Sequence, residues 1–188
     1  MQELLQNIEL YKNIPLTDSD IKRGLYECNQ DTNVVLYSQM CTYNSIDELI
    51  KPYNSCLILY EEKPNTGHWC CLTLHDNLLE YFDPYGSDKK MEYSGQPDSS
   101  LKFIPEPFRQ ESNQDVPYLS LLMLKCPYKL SYNEYQFQEL DKYVKTCGRW
   151  CLLRICLKDL TLEQFRDLFF GNNSDNIATV CTADQKQL

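Results

Sequence analysis

The chain has 188 residues, is 43% apolar and 24% charged, and carries a formal net charge of −9. That length suits one domain spanning residues 1–188, with a core large enough to need no staples. The acidic balance argues against a nucleic-acid binder that works by neutralising phosphates, and no apolar run reaches the length of a membrane span.

Residues 1–14 have a rough helical period through Leu4, Leu5, Ile8, Leu10 and Tyr11, ending at Pro15. Met1-Gln2-Glu3-Leu4-Leu5 lacks a signal peptide's basic and apolar regions, so an intracellular protein is expected. Thr17-Asp18-Ser19-Asp20 offers N-cap oxygens for a short helix through Ile21 to Gly24. Asn33 to Tyr37 reads as a strand, Ser45-x-x-Glu48 as a capping box before a short helix, and Cys56 to Tyr60 as a buried strand. His68 to His75 and Leu78 to Asp83, joined at Asp76-Asn77, read as a hairpin. The polar, proline-bearing residues 87–117 read as a long irregular excursion. Tyr118 to Leu124 suits a short helix and Lys129 to Tyr132 a strand. Thr161-x-x-Gln164 opens a helix with Phe165, Leu168 and Phe169 inward and Gly171 as its stop, and residues 172–188 read as a loose tail.

The stretch after Thr146 is a helix apolar nearly all round, which predicts burial. Its first residue is Cys147. A thiol at a helix N-terminus faces unpaired N–H groups and the positive end of the dipole, which favour the thiolate. Gly148 beside it leaves room for a substrate backbone. None of the 10 cysteines forms a Cys-x-x-Cys, and reduced thiols are expected.

Both histidines lie on one strand, with His68, Cys70, Leu72 and Leu74 on one face and His75 on the other. A two-residue loop at Asp76-Asn77 pairs His75 with Leu78 and puts Cys70 opposite Asp83, with His68 the diagonal neighbour of Asp83. Diagonal neighbours are roughly 7–8 Å apart at the backbone, within reach of an imidazole and a carboxylate. An odd loop length or a bulge breaks this geometry. A carboxylate on one imidazole nitrogen fixes the tautomer and leaves the other nitrogen for a thiol. An oxyanion would need donors, for which the Cys147 N–H and the side-chain amide of Gln138 or Gln136 are candidates.

Gly67-His68-Trp69, Tyr81-Phe82-Asp83-Pro84-Tyr85-Gly86, Gln138 and Thr146-Cys147-Gly148-Arg149-Trp150, in that order, resemble the adenovirus-type (adenain-like) processing proteases. The resemblance is strongest to the capsid-maturation proteases of virophages, Maverick/polinton elements and large DNA viruses, and it extends to SUMO-deconjugating enzymes. It implies an α+β fold of the papain-like cysteine protease superfamily, a mixed sheet packed against the nucleophile's helix. It further implies Cys147 as nucleophile, His68 as general base, Asp83 as its orienting acid and Gln138 as oxyanion donor, with Trp69 walling a narrow substrate channel.

The function so implied is thiol endopeptidase cleavage of capsid or other structural precursors beside Gly-Gly, in the host cytoplasm or virion, by a monomer without cofactor, metal or membrane. Two alternatives stand beside it. One is an isopeptidase for ubiquitin-like modifiers. The other is a non-catalytic metal or redox module using His68, Cys70, Cys71, His75, Cys147 and Cys151, against which stands the alternation that sends Cys70 and Cys71 to opposite faces.

Overall fold

A computed structural model describes residues 2–87, 95–169, 171 and 174–183, with the backbone alone for residues 2–5. Helix α1 (Gln2–Lys12) leads to α2 (Asp18–Glu27), whose N-cap Thr17 exchanges hydrogen bonds with Asp20 in a capping box. The helix runs one turn beyond the expected Gly24, because Leu25 is buried and continues its inward face. Strand β1 (Asn33–Leu36) is followed by a 3-10 turn (Tyr37–Thr42) and by α3 (Ile46–Ile50).

Strands β2 (Ser55–Lys63), β3 (Thr66–His75) and β4 (Leu78–Phe82) make an antiparallel meander. Asp76 and Asn77 both have positive φ, 46° and 65°, as a two-residue primed turn requires. That turn sets the register His75↔Leu78 through Cys71↔Phe82 anticipated from the loop length. Helices α4 (Glu106–Glu111) and α5 (Tyr118–Lys125) precede β5 (Lys129–Tyr132), which adds parallel to β4 as β1 does to β2. The sheet is mixed, in the order β1-β2-β3-β4-β5. Helices α6 (Cys147–Cys156), α7 (Leu162–Phe169) and α8 (Ser174–Cys181) complete an α+β fold.

Alternation along the strands splits the core in two. Cys56, Ile58, Tyr60, Cys70, Leu72, Leu79 and Tyr81 pack with α3 and α5 on one face. Leu57, Leu59, Trp69, Cys71 and Phe82 pack with α2, α6 and α7 on the other. Three groups fasten α6. Arg154 grips both carboxylate oxygens of Glu80 of β4 through Nε and Nη2, at 2.7 and 3.0 Å. Fully buried Arg149 donates to the carbonyls of Tyr11 and Thr182, tying α6 to α1 and to the end of α8, and burial pulls its pKa down to about 10. Trp150 stands edge-on to Phe165 and Phe169, each such pair contributing about 0.5–1.5 kcal/mol beyond area burial.

Three expectations are corrected. The tail is not loose at residues 174–181, since α8 buries Ala178 and Thr179 and its Asp175 bonds to α6; residues 172, 173 and 184–188 lie outside the described residues. The excursion is not irregular at residues 95–117, which hold a 3-10 turn (Ser99–Phe103) and α4. Gln114 there brackets the Glu61 backbone with both ends of its amide. Residues 88–94 of the excursion, with Lys89 and Lys90, lie outside the described residues. Leu168 is 60% exposed, and the inward face of α7 is Phe165 and Phe169. Among the described residues no helix is long and apolar enough to cross a membrane.

Candidate active site

The sequence Asp83-Pro84-Tyr85-Gly86 is a turn for local reasons. The Gly86 N–H returns to the Asp83 carbonyl at 2.9 Å, and the Tyr85 N–H to Asp83 Oδ1 at 2.9 Å. Gly86 has φ 59°, and a Cβ there would lie 2.2 Å from the Tyr135 carbonyl oxygen, so no side chain fits. The turn holds the Asp83 carboxylate fully buried at the end of β4. Ser100 donates to Asp83 Oδ2 at 3.0 Å, and the Asn133 amide to the Asp83 carbonyl at 2.7 Å.

His68 Nε2 lies 2.8 Å from Asp83 Oδ1, the diagonal contact expected from the hairpin register. The ring is 7% exposed and stacks on Tyr85, with centroids 4.3 Å apart and planes 8° from parallel. Burial disfavours the imidazolium. Against it act the Asp83 charge, Cys70, the Asp83 hydrogen bond and a Cys147 hydrogen bond, and His68 ends well above its ordinary value of 6.5.

Cys147 begins α6 and is 6% exposed, and its thiol is among the groups that raise the His68 pKa. With Nε2 turned to Asp83, Nδ1 is the nitrogen left for sulfur. The helix rides the Trp69 face of the sheet while His68 belongs to the Tyr60 face. Among the described residues no side chain caps α6. Thr146, a residue type suited to capping, sends its hydroxyl to Asp175 instead, which leaves the helix's first N–H groups without a side-chain acceptor.

Gln138 is 1% exposed and Gln136 is exposed. The Gln138 backbone N–H is held by the Pro84 carbonyl at 2.9 Å, so its segment is laid against the Asp83 turn. One N–H of its side-chain amide goes to the Val144 carbonyl at 2.9 Å, and its Oε1 is buried without a hydrogen-bond partner. Trp69 is 6% exposed and its Nε1 donates to the Leu16 carbonyl. With Leu16, Leu59 and Gly67 it walls a groove of about 700 Å³, while His68, Tyr85 and Ser100 line a second depression of about 250 Å³. Gly148 departs from expectation. A Cβ there would meet Ile21 Cδ1 at 3.1 Å, Trp69 Cδ1 at 3.2 Å and Leu16 Cβ at 3.3 Å. The missing side chain therefore lets α2 and Trp69 close on α6.

Sequence reasoning missed Tyr85, Ser100, Asn133 and Asp175 as parts of this site. Tyr85 lay within a motif already singled out, and Asn133 directly follows a recognised strand. Ser100 and Asp175 sat in segments read as irregular or loose, with no periodic signal to place them. His75 is remote from the site in chemistry as well as face, pairing at the surface with Asp76 and Asp159. Of the remaining thiols, burial pushes Cys70 up to about 12, with Asp83 adding to the rise, and raises Cys151 well above its ordinary value. His68, Cys70 and Asp83 each place a metal-ligating atom within 4.8 Å of the others, the one such buried trio among the described residues.

No family model matches the chain. Among solved structures it is similar to the SUMO protease Ulp1 with its catalytic cysteine oxidised to a sulfenic acid, at 14% identity and TM-score 0.43. That match covers 93% of this chain and 80% of the other. A similar match is to the C-terminal Ulp1 protease domain in complex with Smt3, the yeast orthologue of SUMO, at TM-score 0.40, 14% identity and the same coverage. At these scores the likeness decides nothing. The sequence relative is closer: uncharacterized protein V9 of Sputnik virophage is 43% identical over 163 residues, 86% of this chain and 87% of that protein, and the chain belongs to the same family.

Proposed function

We propose that the protein is a cysteine endopeptidase with Cys147 as nucleophile, His68 as general base and acid, and Asp83 as the residue that orients the imidazole. The observation that carries the reading is a single imidazole held by a buried carboxylate on Nε2, with a buried helix-tip thiol among the groups that raise its pKa. The Cys147 sulfur, its proton already passed to His68 Nδ1, attacks the scissile carbonyl carbon. The tetrahedral oxyanion accepts from the Cys147 N–H and the remaining N–H of the Gln138 amide. His68 then protonates the leaving amine as the C–N bond breaks, giving a thioester. Water, deprotonated by His68, hydrolyses the thioester and restores the thiol. Asp83 keeps the imidazolium oriented throughout.

The substrates we assign are capsid or other structural precursors of the virus, cut beside Gly-Gly in the host cell or virion. The Gly-Gly preference is what the resemblance to the adenovirus-type proteases implies, and the groove walled by Trp69 and Leu16 is its candidate channel. The test is purified protein against Gly-Gly peptides, co-expressed capsid precursors and a ubiquitin-like fusion, with mass analysis of the cut ends. Cleavage that persists in Cys147→Ala refutes the nucleophile. Cleavage of the modifier fusion alone assigns an isopeptidase.

A second reading has its own observation in the His68, Cys70 and Asp83 trio, which could take a soft divalent cation. Asp83 already accepts from Ser100 and the Tyr85 N–H, so the carboxylate is better served as a proton-holding partner of His68. Stoichiometric zinc retained through chelation, with no peptide cleavage, would favour the metal site.

A further inference from the structure

Helix α8 brings a buried carboxylate to the base of the site. Asp175 is 7% exposed and accepts from three groups on two segments. Its Oδ1 takes the Thr146 hydroxyl and the Trp150 indole N–H, the latter at 2.9 Å. Its Oδ2 takes the Glu139 backbone N–H at 2.8 Å. Thr146 immediately precedes Cys147 and Glu139 immediately follows Gln138. One carboxylate thus spans the nucleophile's mount and the segment carrying the side-chain oxyanion donor.

We propose that Asp175 is a positioning residue that fixes the separation of Cys147 and Gln138, and so the width of the oxyanion pocket. It does a second thing by the same bond. A threonine at the N-cap would ordinarily turn its hydroxyl onto the first N–H groups of the helix. Asp175 draws the Thr146 hydroxyl away, and among the described residues no side chain caps α6, so its N-terminus stays available to a developing negative charge. The inference rests on the peptidase reading above.

Asp175→Asn separates positioning from folding. The amide oxygen can still accept from Thr146 and Trp150, but its NH2 then faces the Glu139 N–H, donor against donor, and only the Gln138 tether is lost. In the full chain, kcat on a Gly-Gly peptide is expected to fall about ten-fold or more with KM within about two-fold, as for a misplaced oxyanion donor. The rate of Cys147 alkylation by iodoacetamide is expected to stay within about two-fold, because the thiol–imidazole contact does not run through Glu139. An unchanged kcat overturns the proposal. So does a joint fall of kcat, alkylation rate and melting temperature, the mark of a structural carboxylate. Should Asp175→Asn fail to fold, Thr146→Val removes the other tether. Lower kcat at unchanged melting temperature supports the proposal, and wild-type kcat overturns it. Wild-type protein that cleaves no faster than Cys147→Ala overturns the peptidase reading itself, a result distinct from any of these.

Discussion

Asp83 Oδ1 accepts the Tyr85 N–H at 2.9 Å and lies 2.8 Å from His68 Nε2, so one oxygen closes the turn and orients the ring. The carboxylate that aligns the imidazole is therefore fixed by its own backbone two residues on. Its geometry does not depend on a bound substrate.

Asp83→Asn tests the charge at constant shape. Burial, the largest influence on His68, lowers its pKa, and the Asp83 charge is the largest of those that raise it above 6.5. Without that charge the alkaline limb of kcat/KM is expected to move to lower pH, with a lower plateau. Stability carries the same signature. In the wild type the raised folded-state pKa contributes stability that is fully present below the unfolded value and is lost as pH rises through the folded one. The melting-temperature gap between wild type and Asp83→Asn should therefore widen as pH falls toward 6.5 and narrow in alkali. A gap constant with pH would show that His68 holds no raised pKa.

Ser100→Ala tests whether the excursion belongs to the site. Its hydroxyl donates to Asp83 Oδ2, and removing it takes one hydrogen bond from a buried carboxylate. A hydrogen bond to a charged group contributes about 1.5–3 kcal/mol, and a urea titration should read a loss in that range. Activity should fall less than in Asp83→Asn, because the His68 contact remains.

The His68–Asp83 pair of the candidate site was legible because local chemistry alone fixes it. The primed turn at Asp76-Asn77 has one register, and period-two alternation then puts His68 beside Asp83. The apolar α6 announced its own burial, and Cys147 followed from its place at the tip. What stayed hidden comes from segments whose order is bestowed by tertiary contact. Ser100 lies in a short 3-10 turn, and Asp175 in a two-turn helix held by polar bonds to Glu139, Thr146 and Trp150. Gly148 was misjudged for a related reason: a glycine says only that something approaches closely, and here the visitor is Ile21 with Trp69.

Gly67→Ala is expected to break the site from the strand side. A Cβ at residue 67 would sit 1.9 Å from the Tyr60 carbonyl oxygen, 2.8 Å from its carbon and 2.9 Å from Glu61 Cα. These are backbone atoms of the paired strand β2, where Glu61 faces Gly67 and Tyr60 faces His68. No rotamer relieves such a clash, so the strands must separate next to His68. The loss should reach or exceed the upper end of the about 1–3 kcal/mol range for overpacking, and peptide cleavage should fall with it. Thr66→Ala, one residue away and exposed, is the control and should differ little from wild type. Equal stability of the two variants would mean that β2 and β3 are not packed this closely.

Glu80→Ala tests the anchor at the far end of α6 from Cys147. Arg154 and Glu80 are 2% and 5% exposed and share two hydrogen bonds, so removing the carboxylate strands a guanidinium in the core. Losses from breaking such pairs run to about 3–5 kcal/mol. Arg154 keeps its bonds to the Leu157 and Leu160 carbonyls, which places the expected loss near the lower end. Arg154→Met should cost more, because it strands the carboxylate and both carbonyls together. Arg154 sits in the last turn of α6, opposite the Cys147 tip, so kcat per folded molecule should remain close to wild type in Glu80→Ala. Chemical denaturation and active-site titration on the same samples separate the two effects. A fall in kcat with unchanged stability would mean that the pair acts on the thiol end of the helix rather than on its attachment to the sheet.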